Sequence, residues 1–289
     1  MISKAHGKTL YVSDMDGTLL GNDSRVSPTS IQLLNDAIAQ GTLFTVATAR
    51  TPATVVPLMS DINTRLPFIC LNGAALWDNS IHNYTHVNTL PEEAVLAIDQ
   101  VYERHGLHPF IYRRHGNMIH AYHKGDMSSQ EEQFVAERQG LELKKFILDA
   151  TDCRHSTDAA MLLFSMQDYE RLRPIYHEIK EKIDCSIVFY HDIFDNNSGI
   201  LEIYAPGVSK ARAVKQLKQE TGASRLIVFG DNRNDKPMMQ EADYSVAVDN
   251  AFDEVKAAAH EVIDPNTTHA VARYIHAHRF NNQELQCKK

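Results

Sequence analysis

Thr9-Leu10-Tyr11-Val12-Ser13-Asp14-Met15-Asp16-Gly17-Thr18 is the stretch whose reading decides the fold. Its first half is short, apolar, aromatic and β-branched, the pattern of a buried strand. Gly17 breaks that strand, so both carboxylates fall at or just past its carboxyl end. Residues two apart on an extended chain point the same way. Asp14 and Asp16 can therefore face one small volume. Carboxylates that close repel unless a cation neutralises them or one is protonated. Oxygen-only ligands suit a hard cation, and carboxylates plus a substrate phosphate are the usual means of holding Mg²⁺.

The flanking sequence continues in strand–helix alternation. Ser27-Pro28 supplies a helix cap and a proline at the first helical position. Ile31, Leu34 and Ile38 then give the helix one apolar face, and Gly41 stops it. Thr42 to Ala47 reads as a buried strand ending in Thr48-Ala49-Arg50. Thr51-Pro52 opens a helix to about Asn63, and Pro67 to Leu71 is a third strand ending in Asn72-Gly73. This is a parallel α/β pattern, in which ligands bind outside the carboxyl ends of the strands.

From about Ile81 the character changes. A helix over Pro91 to His105 precedes strands Phe110 to Arg113 and Met118 to His123, with His115-Gly116-Asn117 turning between them. A polar helix follows over Ser128 to Gln139, then a strand over Ala159 to Met166. Next come an amphipathic helix over Tyr169 to Lys182, a strand over Ser186 to Tyr190 and a loop cluster at Asp195 to Gly199. The parallel pattern is expected to resume with strand Ile200 to Tyr204. Helix Ser209 to Thr221 is ended by Gly222, strand Arg225 to Phe229 runs into Gly230-Asp231, and a helix starts at Asp235 before strand Tyr244 to Val248. The polar tail from Phe280 reads as frayed. The expected fold is α/β: a Rossmann-like parallel sheet core over 1–80 and 198–289, with an inserted α/β domain over 81–197.

Composition excludes several classes. The 289 residues carry a formal charge of −8, with 43% hydrophobic and 23% charged residues. The absence of a basic cluster argues against a nucleic-acid partner. No apolar run approaches the about 18 residues of a membrane span, and the first residues carry no hydrophobic signal region. Cys70, Cys153, Cys185 and Cys287 show no metal or redox spacing. Cys70 and Cys185 read as core thiols, and the set points to a reducing, cytoplasmic setting.

Two later stretches complete the pattern. Lys210 stands in the first turn of a helix capped by Ser209, where a cation opposes the helix dipole at about 0.3–1 kcal/mol. That placement suggests a specific anionic partner. Gly230-Asp231-Asn232-Arg233-Asn234-Asp235 follows an apolar strand. The order Asp14/Asp16, Thr48/Arg50, Lys210, Asp231/Asp235, with a large insertion between the second and third, resembles the haloacid dehalogenase (HAD) superfamily and within it the Cof-type phosphatases. The resemblance spans nearly the whole chain, although the inserted block resembles that family only in size and pattern.

The resemblance implies a Mg²⁺-dependent hydrolysis of small phosphorylated metabolites such as sugar phosphates. Asp14 would be the nucleophile and Asp16 the general acid/base. Thr48 would bind phosphoryl oxygens and Lys210 would neutralise charge. Asp14, Asp231 and the backbone carbonyl of Asp16 would hold Mg²⁺, with Asp235 in support. Met15, Gly17, Ala49 and Asn234 would contact phosphate, Arg50 would clamp it, and Asn72 and Gly73 would line the floor. Within the insertion, which holds ten of the fifteen histidines, His115, His120, Tyr122 and His123 are candidates for contacting sugar hydroxyls. No histidine pair shows metal-ligand spacing. Departures from the family pattern are Ala49 and Asp249, where glycine is frequent, and Ala270-Val271 in place of Gly-Val. A phosphomutase and a non-catalytic phosphometabolite-binding regulator remain alternatives, and homo-oligomerisation stays open.

Overall fold

The computed structural model describes residues 8–148, 158–191 and 197–279. The chain divides into two compact units, Met1–Ile81 with Ser209–Lys289, and His82–Val208.

The first unit is built on a parallel sheet. It begins with β1 (Thr9–Ser13), α1 (Pro28–Ala39), β2 (Leu43–Val46), α2 (Pro52–Met59), β3 (Phe68–Cys70) and β4 (Ala75–Asp78). β1 is fully buried over Leu10–Ser13, because parallel strands covered on both faces need continuous apolar sequence. α1 starts where Ser27 Oγ accepts from the amide of Ser30, a cap worth about 1 kcal/mol. Its buried stripe is Ser30, Leu34 and Ala37, with Ile31 and Ile38 only partly covered. α2 stops at Met59, short of the expected Asn63. β3 does not extend the sheet as a regular parallel strand. It touches the end of β2 through a single bridge, Ala47 to Ile69, and folds back on β4 as an antiparallel hairpin.

In the second unit the elements are β5 (Asn83–Val87), α3 (Glu92–Arg104), β6 (Phe110–His115), β7 (Met118–Tyr122), α4 (Ser129–Arg138), β8 (Lys144–Ile147), β9 (Ala160–Asp168), α5 (Tyr169–Lys182), β10 (Ser186–His191) and β11 (Ser198–Tyr204). Six strands form one sheet in the order β10-β11-β9-β6-β7-β8, antiparallel except for β7 with β8. α4 opens with a full capping box between Ser128 and Glu131. Phe164 of β9 packs its ring against Phe134 of α4, while the neighbouring Ser165 hydroxyl reaches the Tyr102 hydroxyl of α3. Successive strand residues thus serve opposite sides of the sheet.

The strand Ser198–Tyr204 requires a correction. Its sequence reads as the return to the parallel core, yet it pairs antiparallel with both β9 and β10. A parallel core strand is apolar on both faces; this one carries Glu202 at its centre, whose carboxylate accepts from the Tyr204 hydroxyl at 3.1 Å. The chain leaves this unit only at Val208.

The first unit resumes with α6 (Lys210–Thr221), β12 (Arg225–Gly230), α7 (Lys236–Glu241), β13 (Tyr244–Val248), α8 (Asp253–Lys256), β14 (Glu261–Ile263) and α9 (Ala270–His278). The core sheet runs β14-β13-β12-β1-β2, every pair parallel. β1 therefore lies between β12 and β2, and the chain moves outward from it in both directions. Such a reversal of strand order opens a crevice at the carboxyl ends. No described helix is long and apolar enough to cross a membrane. Cys70 is buried and Cys185 only half-buried, so Cys185 is not the core thiol its sequence suggests. Cys153 and Cys287, residues 195 and 196 of the loop cluster, and the tail from Phe280 lie outside the described residues. Asp249 is not among the residues with positive φ, so the glycine it replaces is not needed there.

Candidate active site

The site grows from the ends of β1 and β12. The register sets Ser13 beside Phe229, and the amide of Asp14 donates to the Phe229 carbonyl at 3.0 Å. The main chain then swings through a wide turn, closed by Leu20 N donating to Met15 O at 2.9 Å. Gly17 adopts φ +77° in that turn, and a Cβ there would fall 2.4 Å from Asp231 Oδ2. Glycine is required on both counts: the left-handed backbone and the closeness of the carboxylate. Met15 is buried beneath the turn, Thr18 Oγ1 donates to Asp231 Oδ1 at 2.7 Å, and Asn250 Nδ2 holds the Gly17 carbonyl at 2.7 Å.

Lys210 is the centre of charge. Its Nζ donates to Asp14 Oδ1 at 2.6 Å and to Asp235 Oδ1 at 2.8 Å, with its side chain 2% exposed. Asp235 Oδ2 accepts from the amides of Asp231 and Asn232 at 3.2 and 3.1 Å, which fixes the turn after β12. The position of α6 follows from Gly73: it has φ +97°, and a Cβ on it would strike the Ser209 carbonyl at 2.4 Å. The loop after β3 thus sits directly against the cap of α6, which lets the Lys210 stem reach inward.

Asp14, Asp231 and Asp235 each offer an oxygen within 4.8 Å of the others. Three carboxylates face one ammonium, an excess of negative charge in a buried place. Burial pushes Asp14 well above the usual carboxylate value, outweighing Lys210. Burial likewise raises Asp231 to about 6, against the lowering pull of the Thr18 hydrogen bond. Lys210 by itself thus leaves this cluster short of positive charge. The donor set fits a hard divalent cation, which would remove the excess charge.

Asp16 lies outside this trio. Its carboxylate is 52% exposed and is gripped by Arg50 through Nε at 2.7 Å and Nη2 at 2.5 Å. Arg50 and Asp16, unpaired in the sequence reading, form a bidentate ion pair. On the neighbouring strand end, Thr48 is buried and its Oγ1 accepts from Arg50 N at 3.1 Å; Asn72 N donates to Thr48 O at 2.9 Å, with Asn72 itself left-handed at φ 51°. Ala49 is half-buried beside them. Asn234 Oδ1 is buried with no hydrogen-bond partner among the described residues, an open polar position near the carboxylates in sequence.

Two groups escaped the sequence reading. Thr18 belongs to the opening motif, and its hydroxyl adjacent to the carboxylates was the available signal. Asn250 follows β13, and its Oδ1 also accepts from Asn266 N at 2.9 Å while Asn266 Nδ2 holds the Leu20 carbonyl at 2.7 Å. The contact of Asn250 with Gly17 spans 233 positions of sequence, and nothing local announces it. In the inserted unit, His123 is too buried to reach a sugar: its ring is tilted against Phe110 with centroids 4.5 Å apart.

The pKa displacements give an expected outcome for the metal-free protein. Asp231 binds its proton more tightly folded than unfolded, so its contribution to stability is present below pH 3.8 and is lost as pH rises through about 6. A cation that needs the ionised carboxylates restores stability over the same window. Thermal melts with and without Mg²⁺ should diverge as pH rises through it, reaching roughly 2.7 kcal/mol at a hundredfold excess over Kd. A stabilisation that stays constant across that window would contradict this carboxylate arrangement.

Comparison with known proteins agrees with the geometry. Residues 11–275 match the haloacid dehalogenase-like hydrolase family. The chain is 26% identical to pyridoxal phosphate phosphatase YbhA of Escherichia coli (strain K12), over 92% of this chain and 96% of that protein. Among solved structures, a haloacid dehalogenase-like hydrolase from Bacteroides thetaiotaomicron superposes with a TM-score of 0.76 at 22% identity, covering 93% of this chain and 99% of the other. The HAD subclass IIB sugar phosphatase BT4131 gives 0.72 at 20% identity, with 93% and 97% covered; at that identity the likeness concerns the fold. With the family match running almost from end to end over a parallel core and an inserted domain, the chain belongs to the haloacid dehalogenase-like hydrolases, as a hydrolase of phosphoric monoesters.

Proposed function

We propose that this chain is a Mg²⁺-dependent phosphatase of small phosphorylated metabolites, sugar phosphates among them, and that it works through an aspartyl-phosphate on Asp14. The observation that carries the reading is Lys210, buried and bridging Asp14 and Asp235 opposite Asp231. A binding protein for phosphate has no need of a carboxylate at its centre, since an anion repels an anion. A nucleophile has that need, together with the cation beside it.

Asp14, Asp231 and the Asp16 backbone carbonyl would hold the metal, with Asp235 oriented by Lys210 and two amides. Bound there, Mg²⁺ would neutralise the carboxylates and offset charge on the transferring group. A free oxygen of Asp14 attacks phosphorus: the Asp14 O–P bond forms and the ester P–O bond breaks. Asp16 gives a proton to the departing alcohol oxygen. Water then attacks the phosphorus of the acyl phosphate while Asp16 takes its proton; phosphate leaves and Asp14 is regenerated. Lys210 balances charge throughout, and Thr48, Asn234 and the amides of the turn at Met15 and Gly17 supply hydrogen bonds to phosphoryl oxygens.

Arg50 has a part in this cycle. Its fork occupies both oxygens of Asp16, so Asp16 must leave it before reaching a leaving oxygen. A phosphate dianion is a stronger partner for a guanidinium than a half-exposed carboxylate. Entry of substrate would draw Arg50 away and free Asp16.

The test of the assignment is a phosphate-release screen over phosphorylated metabolites, run with Mg²⁺ and again after EDTA. Turnover of some members with Mg²⁺ and none without it supports the reading; undiminished turnover in metal-free protein overturns it. The role of Asp16 is checked separately. Asp16→Asn should slow alkyl phosphates by about 10²–10⁴-fold, the usual share of general acid–base help, and spare aryl phosphates whose leaving groups need little protonation. Equal losses for both substrate types, measured as kcat, would remove the acid role from Asp16.

A further inference from the structure

Outside the carboxylate–lysine cluster, one other set of metal-ligating side chains comes together among the described residues, and it lies in the inserted unit. His115 ends β6, His120 stands in the middle of β7, and Asp158 lies two residues before β9. The hairpin register pairs Arg113 with His120 and His115 with Met118. Alternation then puts His115 and His120 on one face as diagonal neighbours. Their rings stack with centroids 4.4 Å apart and planes 13° from parallel. His115 Nδ1 lies 2.8 Å from Asp158 Oδ2, and the three residues each offer a donor atom within 4.8 Å of the others.

The surroundings hold the backbone that carries Asp158 and the hairpin turn. The Asp158 carbonyl accepts from Arg113 Nη1 at 2.8 Å, and Arg113 is buried with its guanidinium gripped by both oxygens of Glu92 at 2.7 and 2.8 Å. Arg114 N donates to the Ala159 carbonyl at 2.9 Å, and Arg114 Nε closes the hairpin turn on the Gly116 carbonyl at 2.9 Å. The main chain is thus held at Asp158 and at Ala159. The His115 side chain is 59% exposed and can rotate. Burial, then the nearby charge of His115, lowers the pKa of His120. Two stacked imidazoles favour at least one neutral ring, the form that ligates.

We propose that His115, His120 and Asp158 form a second metal site, for a divalent transition-metal ion such as Zn²⁺. Two imidazoles and one carboxylate suit the borderline metals Zn²⁺, Ni²⁺ and Cu²⁺ and disfavour Mg²⁺, which takes oxygen ligands. Three protein donors leave a fourth tetrahedral position for water or an added ligand. A metal ion takes the deprotonated form of each ligand, so its binding competes with protons at these atoms. The site shares no residue with the Asp14 cluster and does not depend on the phosphatase reading.

The test is Zn²⁺ titration of the full-length protein against a chromophoric chelator, with excess Mg²⁺ present, for wild type, His120→Gln and His115→Gln. Wild type should bind one Zn²⁺ more than either variant, or bind it at least about tenfold more tightly. Cu²⁺ on wild type should show imidazole nitrogen couplings that weaken in both variants. Identical Zn²⁺ stoichiometry and affinity in wild type and both variants would overturn the proposal. So would a loss confined to one variant with the nitrogen couplings unchanged.

Discussion

Asp14→Asn is expected to lower turnover by roughly 10⁴–10⁶-fold, the scale seen when a covalent nucleophile is removed, while phosphate still binds. Asn and Asp are nearly isosteric, so the side chain stays beside Lys210. What goes is the anion that can attack phosphorus. Asp14 is 6% exposed and sits at the closest approach of Lys210, whereas Asp16 is half-exposed and held by Arg50. Two chemically alike carboxylates are divided by place: one buried against Lys210, the other able to swing outward. Turnover by Asp14→Asn within tenfold of wild type, measured with Mg²⁺ on the best substrate, would remove Asp14 from the nucleophilic role.

Lys210→Met should be the most damaging substitution for the fold of the core as well as for catalysis. Nζ satisfies two buried carboxylates at once. Removing one partner of a buried ion pair leaves uncompensated charge and costs about 3–5 kcal/mol. The loss should fall on the metal-free protein at neutral pH and shrink in acid, where Asp14 and Asp231 take up protons and less buried charge needs a cation. It should also shrink with Mg²⁺, which offsets the same charge. Denaturant unfolding of Lys210→Met and wild type, at neutral and acid pH, checks this. An equal destabilisation at both would mean that Lys210 contributes packing rather than charge.

Lys210 shows how much of the site is legible in the sequence. In sequence Lys210 is a local misfit, a cation in the first turn of a helix whose dipole disfavours it. The misfit pointed to a distant anion, and Asp14 stands 196 positions away at 2.6 Å. The strand that presents Asp14 and the cap that starts α6 were likewise legible, because each rests on a few adjacent residues. Pairings decided across the chain were not. Nothing local links Asn250 to Gly17, Arg50 to Asp16 or Gly73 to Ser209.

The strand Ser198–Tyr204 failed for the same reason. Its apolar run followed by a helix fits a βα unit, and only partner choice decides which sheet it joins. Glu202 was the clue, since a parallel strand covered on both faces has no place for a carboxylate. Short strands such as Ala75–Asp78 and Lys144–Ile147 gave too little periodicity to be seen. The histidine cluster was hidden by register: His115 and His120 have no ligand spacing along the chain and meet only across a hairpin.

The central claim is that phosphorus becomes bound to Asp14, and one measurement reaches it directly. Wild-type protein turning over its best substrate is quenched, reduced with borohydride, digested and sequenced by mass spectrometry. An aspartyl-phosphate is reduced to homoserine, whereas an untouched carboxylate is not. Homoserine is expected at position 14, appearing only when substrate and Mg²⁺ are both present. Homoserine at position 16, or none anywhere while phosphate is being released, would contradict it.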